Sequence, residues 1–189
     1  MVIYVVGAPT AGKSTLARII KERFLQVNVV SFEAVRNGFI VSQPELNMGD
    51  RKSVARSKIL PRFMVEFAEW NARMTRSLTV VEGSFARVEQ IWRLVKSDDL
   101  VICLGYGGRS LAEIAELAIH KAGVDSYLHG RTVKEFKEHF YDLVEEDVMN
   151  LKFCKENNVP YYDTADNRDE KMGEILELVA EHMHCLRLN

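Results

Sequence analysis

The stretch Gly7-Ala8-Pro9-Thr10-Ala11-Gly12-Lys13-Ser14 constrains the fold of this chain more than any other feature. It matches G-x-x-x-x-G-K-[ST] in full, a pattern whose mechanism needs a β-strand before it and a helix N-terminus after it. Both are present: Val2-Ile3-Tyr4-Val5-Val6 is an apolar run, and Leu16, Ile19, Ile20 and Phe24 follow at helical spacing. Gly7 and Gly12 let the backbone turn so that successive N–H groups face inward at phosphate oxygens. The helix beginning near Lys13 adds its N-terminal dipole to the same anion site. Lys13 supplies a cation for β- and γ-phosphates, the Ser14 hydroxyl suits magnesium, and Thr15 continues the first turn. The segment 7–15 therefore implies a bound nucleoside triphosphate, ATP with Mg2+.

Short apolar runs alternate with longer amphipathic stretches, the signature of βαβ units around a parallel sheet. The strand expectations are Val2–Val6, Val27–Ser31, Leu78–Val81, Leu100–Leu104 and Val159–Tyr162. Each is nearly continuous in apolar residues, as strands covered on both faces are. The expected fold is α/β, a three-layer α/β/α sandwich on a five-stranded parallel sheet that carries the phosphate loop after its first strand. Helical stripes are read at Phe63, Phe67, Trp70 and Met74, at Val88, Ile91, Trp92 and Val95, and at Met172, Ile175, Leu176, Val179 and Met183. A longer helix is expected to carry Phe136, Phe140, Leu143, Val144, Val148 and Leu151. All four stripes are taken to face the core. Residues 1–189 read as one domain with two excursions, at about 37–61 on the acceptor side and about 123–132 as a lid.

Composition removes several classes of function. A 47% hydrophobic, 28% charged chain with a net charge of −2 has no global field to recruit nucleic acid or an anionic membrane. The six apolar residues before Gly7 are too short for a signal segment or a membrane span. Three scattered cysteines without metal or CxxC spacing suit a reducing compartment, and the expected location is cytoplasmic. The histidines form no ligand pattern, His182 and His184 being two apart and so on different helix faces.

The remaining chemistry is spread along the chain. Glu82 ends the third apolar run, where an acid beside a phosphate loop faces the magnesium directly or through water. Glu33 and Arg36 follow the second run at i and i+3, on one helix face. Glu33 could accept the proton of an acceptor hydroxyl, and Arg36 could hold an anionic group. Arg51, Lys52, Arg56, Lys58 and Arg62 form a basic cluster with no acid among residues 51–65, suited to an acidic acceptor. Arg87, Arg109 and Arg131 each follow a strand or a Gly-rich turn and are candidates to clamp a transferring phosphoryl group, Arg131 foremost through its place in the second excursion.

On these residues the chain resembles the phosphate-loop small-molecule kinases, the group that includes adenylate kinase and the nucleoside monophosphate kinases. Ser31–Arg36 is similar to the segment whose arginine binds the acceptor phosphate there, which implies that role for Arg36. Glu82-Gly83 resembles the acid-Gly pair opening their third-strand loop; the arginine that follows is Arg87, displaced by about one position and without the usual proline. His129-Gly130-Arg131 is similar to the start of their lid, but the paired arginines are missing, Arg131 standing alone in residues 110–167. Asp163-Thr164-Ala165 falls where such kinases hold the adenine. The stretch 144–164 also resembles 2-phosphoglycerate kinase-like proteins, and Glu33 with Arg36 resembles an arrangement in polynucleotide 5′-kinases. The resemblance implies an ATP-dependent phosphotransferase with a nucleotide or other small anionic acceptor. A polynucleotide 5′-kinase and a nucleotide-hydrolysing switch are the alternatives. Oligomeric state stays open.

Overall fold

A computed structural model describes residues 1–50, 53–84, 86–120 and 128–187. Its five strands are β1 (Val2–Gly7), β2 (Val27–Ser31), β3 (Leu78–Glu82), β4 (Leu100–Gly105) and β5 (Tyr161–Asp163). They form one parallel sheet in the order β2-β3-β1-β4-β5, which puts β1 and its phosphate loop at the centre. The expected strands are therefore present, with one shift. Asn158 closes the preceding helix in the left-handed conformation and the Val159 N–H is spent on the Cys154 carbonyl, so β5 starts only at Tyr161.

Because side chains alternate along a strand, each strand feeds two cores. Ile3, Val5, Val80, Ile102 and Leu104 face the first, packed by α1 (Lys13–Arg23), α5 (Leu111–His120), α6 (Val133–His139) and α8 (Arg168–Arg187). Val2, Tyr4, Val6, Val81 and Cys103 face the second. That side is covered by α2 (Phe32–Ser42), α3 (Leu60–Thr75), the short α4 (Val88–Trp92) and α7 (Leu143–Asn157). This is the three-layer sandwich. Between α2 and α3 the chain makes a 3-10 turn at Pro44–Leu46 and a π-helical turn at Ala55–Ile59. No described helix is long and apolar enough to cross a membrane.

Two helical expectations are overturned, and a third holds only in part: Val88 and Ile91 are buried, but α4 ends at Trp92, which is exposed, so Val95 lies beyond the helix. The stripe Phe63, Phe67, Trp70 and Met74 does not enter the core: it is the outer face of α3. The inner face is Leu60, Met64, Ala68 and Ala72, with Val65 beside them. Fully buried Tyr4 belongs to the same core and is one of its largest side chains, so the alanines let α3 approach where bulky aromatics could not. The stripe from Phe136 to Leu151 is not one helix either. Phe140 leaves the helical region at φ −116°, ψ 36°, ending α6 one turn before α7 begins. The side of α7 that is buried carries Leu143, Asp147, Asn150 and Cys154, whereas Val148 is exposed. Two buried polar residues on that side explain why apolar spacing misplaced it.

Candidate active site

The cradle forms where β1 runs out. Gly7 takes φ 117°, and a Cβ there would lie 2.0 Å from the Leu104 carbonyl oxygen, so no other residue fits. Gly12, at φ 98°, caps α1, whose first-turn N–H groups lack intrahelical acceptors and face the open end of the sheet. Lys13 is buried and donates from Nζ to the Ala8 carbonyl at 2.6 Å, folding back over its own loop. Burial pushes its ammonium below the ordinary lysine range, with the Glu33 and Glu82 carboxylates acting the other way.

The loop is braced from behind. Thr164 sets its hydroxyl 2.9 Å from the Ala11 carbonyl and 3.2 Å from that of Gly105. Arg168 donates to the Thr10 carbonyl at 3.2 Å, and the Tyr106 hydroxyl pairs with Thr10 and donates to the Pro9 carbonyl. These contacts hold the carbonyls away from the cradle and leave N–H groups to face a ligand.

A cleft of about 1030 Å³ opens in front of the cradle, lined by Lys13, Ser14, Glu33, Arg36, Glu82 and Arg168 among others. Register explains the grouping. Val5 of β1 lies opposite Glu82, and Ser31 of β2 lies opposite Glu82 from the other side. The end of β3 and the start of α2 are thereby delivered to the same rim. Ser14 donates its hydroxyl to the Glu82 carboxylate at 2.9 Å, and Glu33 accepts the Ser84 N–H at 2.7 Å. The Nε atoms of Arg36 and Arg168 are buried without a hydrogen-bond partner among the described residues. Two unmet guanidinium donors and a desolvated ammonium around one cleft call for a polyanion.

On the other side of Pro9 lies a smaller cavity of about 230 Å³, with Arg56, Arg87, Gln90, Glu146, Asp147 and Asn150 in its wall. Pro9, Arg56 and Ser84 line both spaces. Asp147 anchors this cavity: it accepts the N–H groups of Tyr106 and Gly108 and the Tyr161 hydroxyl. Burial nonetheless raises its carboxyl above the ordinary aspartate range. Gly105 is what admits it, since a Cβ there would sit 2.0 Å from the Asp147 carboxylate. Asn150 accepts the Val88 N–H at 3.1 Å and so starts α4.

The structure brings Lys13, Ser14, Thr15, Glu33, Arg36 and Glu82 to one cleft. Arg87 caps α4 and lines the smaller cavity instead. Asp163, Thr164 and Ala165 line neither space. Thr164 supports the loop, and Asp163 accepts the Ala165 N–H and pairs with Arg109, which also binds Asp166. Arg109 is thus occupied at the sheet edge. Arg131 is exposed in a turn closed by its N–H to the Leu128 carbonyl, and it lines neither space. Arg51 and residues 123–127 of the expected lid lie outside the described residues. Sequence reading passed over Arg168, Ser84, Asp147 and Asn150. Arg168 had a signal in its place one turn beyond Asp163-Thr164-Ala165, at the start of a helix; Asp147 and Asn150 had none beyond being polar within an apolar-spaced helix.

Ser14 and Glu82 offer two hard oxygen donors beside the cradle, which fits Mg2+, an ion held by one or two protein oxygens together with phosphate and water. No group of three or more His, Cys, Asp or Glu suited to a metal occurs among the described residues.

No protein-family model matches the chain, and no curated protein matches it. Solved structures do. A gluconokinase from Sinorhizobium meliloti 1021 superposes with a TM-score of 0.59 at 18% identity, covering 98% of this chain and 95% of that one. A shikimate kinase from Aquifex aeolicus vf5 gives 0.54 at 18% identity, covering 95% and 96%. One from Bacteroides thetaiotaomicron gives 0.53 at 13%, covering 95% and 98%. With its cradle, sheet order and these neighbours, the chain has the fold of the phosphate-loop small-molecule kinases.

Proposed function

We propose that this chain is an ATP-dependent kinase that moves the γ-phosphoryl group to a hydroxyl of a small acidic metabolite. The observation that carries the reading is the pair of cavities meeting at Pro9, Arg56 and Ser84, one built around a phosphate cradle and the other small and polar. The triphosphate lies on the N–H groups of residues 12–15, with Lys13 released from the Ala8 carbonyl to the β- and γ-phosphates. Arg36 and Arg168 satisfy their unmet donors on phosphate oxygens. Ser14 and Glu82 hold the magnesium, which supplies charge neutralisation at the phosphates when bound.

The acceptor occupies the 230 Å³ cavity, a small polar space that suits a sugar acid. Arg56 and Arg87 pair with its carboxylate, and Gln90, Glu146 and Asn150 bond its hydroxyls. That two solved structures of this fold are shikimate kinases and one a gluconokinase supports a small metabolite over a nucleic acid end. The acceptor oxygen attacks the γ-phosphorus, the bond to the β–γ bridging oxygen breaks, and ADP leaves. Glu33, fixed at the rim by Ser84, takes the hydroxyl proton.

The test is an ATP-consumption panel of hydroxy acids, nucleoside monophosphates and oligonucleotide 5′ ends, with Lys13→Ala as the blank. Hydroxy acids should yield one ADP per phosphorylated product, and Glu33→Gln should cut turnover by roughly 10²-fold or more. ADP release that ignores any acceptor would replace the kinase by a hydrolysing switch. Turnover with nucleoside monophosphates alone, unaffected by Glu33→Gln, would overturn the hydroxyl acceptor.

A further inference from the structure

The outer face of α3 is an apolar feature that the site leaves unused, with four large apolar side chains exposed along one described helix. Phe63 (39% exposed), Phe67 (41%), Trp70 (56%) and Met74 (73%) recur at helical spacing down one side, and Ile59 (49%) continues the line one turn earlier. The stripe is ordered rather than loose. Phe39 meets Phe63 edge-on at 5.0 Å, Phe63 stacks with Phe67 at 6.0 Å, and the Arg73 guanidinium lies 5.1 Å over the Trp70 ring. Together these side chains leave on the order of 500 Å² of largely apolar surface in water, at the upper end of what a soluble monomer carries.

We propose that this face is the interface of a two-fold dimer, α3 of one copy lying antiparallel on α3 of a second copy. The charges beside the stripe choose this occupant. Glu66 and Arg73 are seven residues apart, two turns along the same flank. In an antiparallel two-fold pair, the same flanks face each other, so Glu66 of one copy meets Arg73 of the other, and the contact is made twice. Among the described residues neither is in an ion pair within its own chain, whereas Glu69, farther round the helix, is already paired with Lys96. The same register sets Phe67 against Trp70 and Phe63 against Met74, so each of these four residues finds a large apolar partner, with Ile59 left at the rim. The stripe supplies more than half of the roughly 800 Å² per partner of a standard interface, and the flanks of α3 supply the rim.

Sedimentation velocity of the full chain from about 1 to about 100 μM tests the proposal. The wild type should pass from the 21.6 kDa monomer to twice that mass, and Trp70→Glu should stay monomeric. Glu66→Arg or Arg73→Glu alone sets arginines or glutamates against each other and should weaken the dimer about tenfold; the two together should restore it to within about threefold. These residues are outside the cavities, so kinase turnover and melting temperature report on folding independently of assembly. A wild type monomeric at all concentrations, a dimer that survives Trp70→Glu, or a double variant that stays as weak as the single ones would each overturn the inference.

Discussion

The cleft in front of the phosphate loop and the cavity behind Pro9 adjoin, yet they are made from different material. The cleft is centred on backbone: N–H groups of one continuous segment, set by two glycines and a helix start, with Lys13 returned onto its own loop. The cavity is centred on side chains from two helices, α4 and α7, and the turn before α3, with a buried aspartate as its anchor. A cradle made of backbone depends on geometry and is specific for a chemical group that all nucleotides share. A wall of side chains can be changed one residue at a time, so it is where acceptor choice is expected to lie.

The largest expected effect falls on the cradle. Lys13→Met should lower kcat/KM about 10³-fold, because it removes a desolvated cation from the position where charge develops. Its stability should move the other way. Burial lowers the Lys13 pKa, so its charge penalises the folded state below that native pKa, and the penalty fades as pH climbs from there to the ordinary lysine value. At neutral pH the methionine variant should therefore melt no lower than the wild type. A fall of several degrees in a thermal scan would mean that Lys13 holds the loop together through Ala8 rather than waiting for phosphate.

That contrast also explains what could be read in advance. Eight contiguous residues encode the cradle, because its physics is local: two glycines, a cation and a hydroxyl at the start of a helix. Glu33, Arg36 and Glu82 were legible for a related reason, since a parallel sheet delivers the ends of adjacent strands to one edge. Asp147 and Asn150 were not, because their partners are backbone N–H groups of distant segments, 39 to 62 residues away, which leave no local trace. The aromatic stripe of α3 was misplaced because the helix is apolar on two sides, and periodicity finds a face without saying which way it points.

Substitutions on either side of Pro9 should separate the two spaces at intermediate cost. Arg168→Ala should raise the KM for ATP by roughly 10- to 100-fold, the worth of a hydrogen bond to a charged group, and leave the KM for the acceptor alone. Arg87→Ala should do the reverse, raising the acceptor KM by roughly tenfold with ATP unaffected. Steady-state kinetics with each substrate varied in turn reads both. If either substitution moves the two constants together, the spaces are one site, and the division at Pro9 fails.

Arg131 should mark the lower end of the scale. The sequence places it at the start of a lid, and a lid arginine that neutralises a transferring phosphoryl group is worth orders of magnitude. In the structure it is exposed beyond both cavities, on a turn closed by its own backbone. A surface side chain in that position usually changes free energies by about 0.5 kcal/mol or less, so Arg131→Ala should alter kcat by about twofold at most. The cations already in the cleft, Lys13, Arg36 and Arg168, would then carry the transition-state charge. A drop of tenfold or more in kcat, with both KM values unchanged, would reverse that assignment. It would show that Arg131 reaches the phosphoryl group only when substrates are bound, and that the donor side too depends on a side chain brought from a distance.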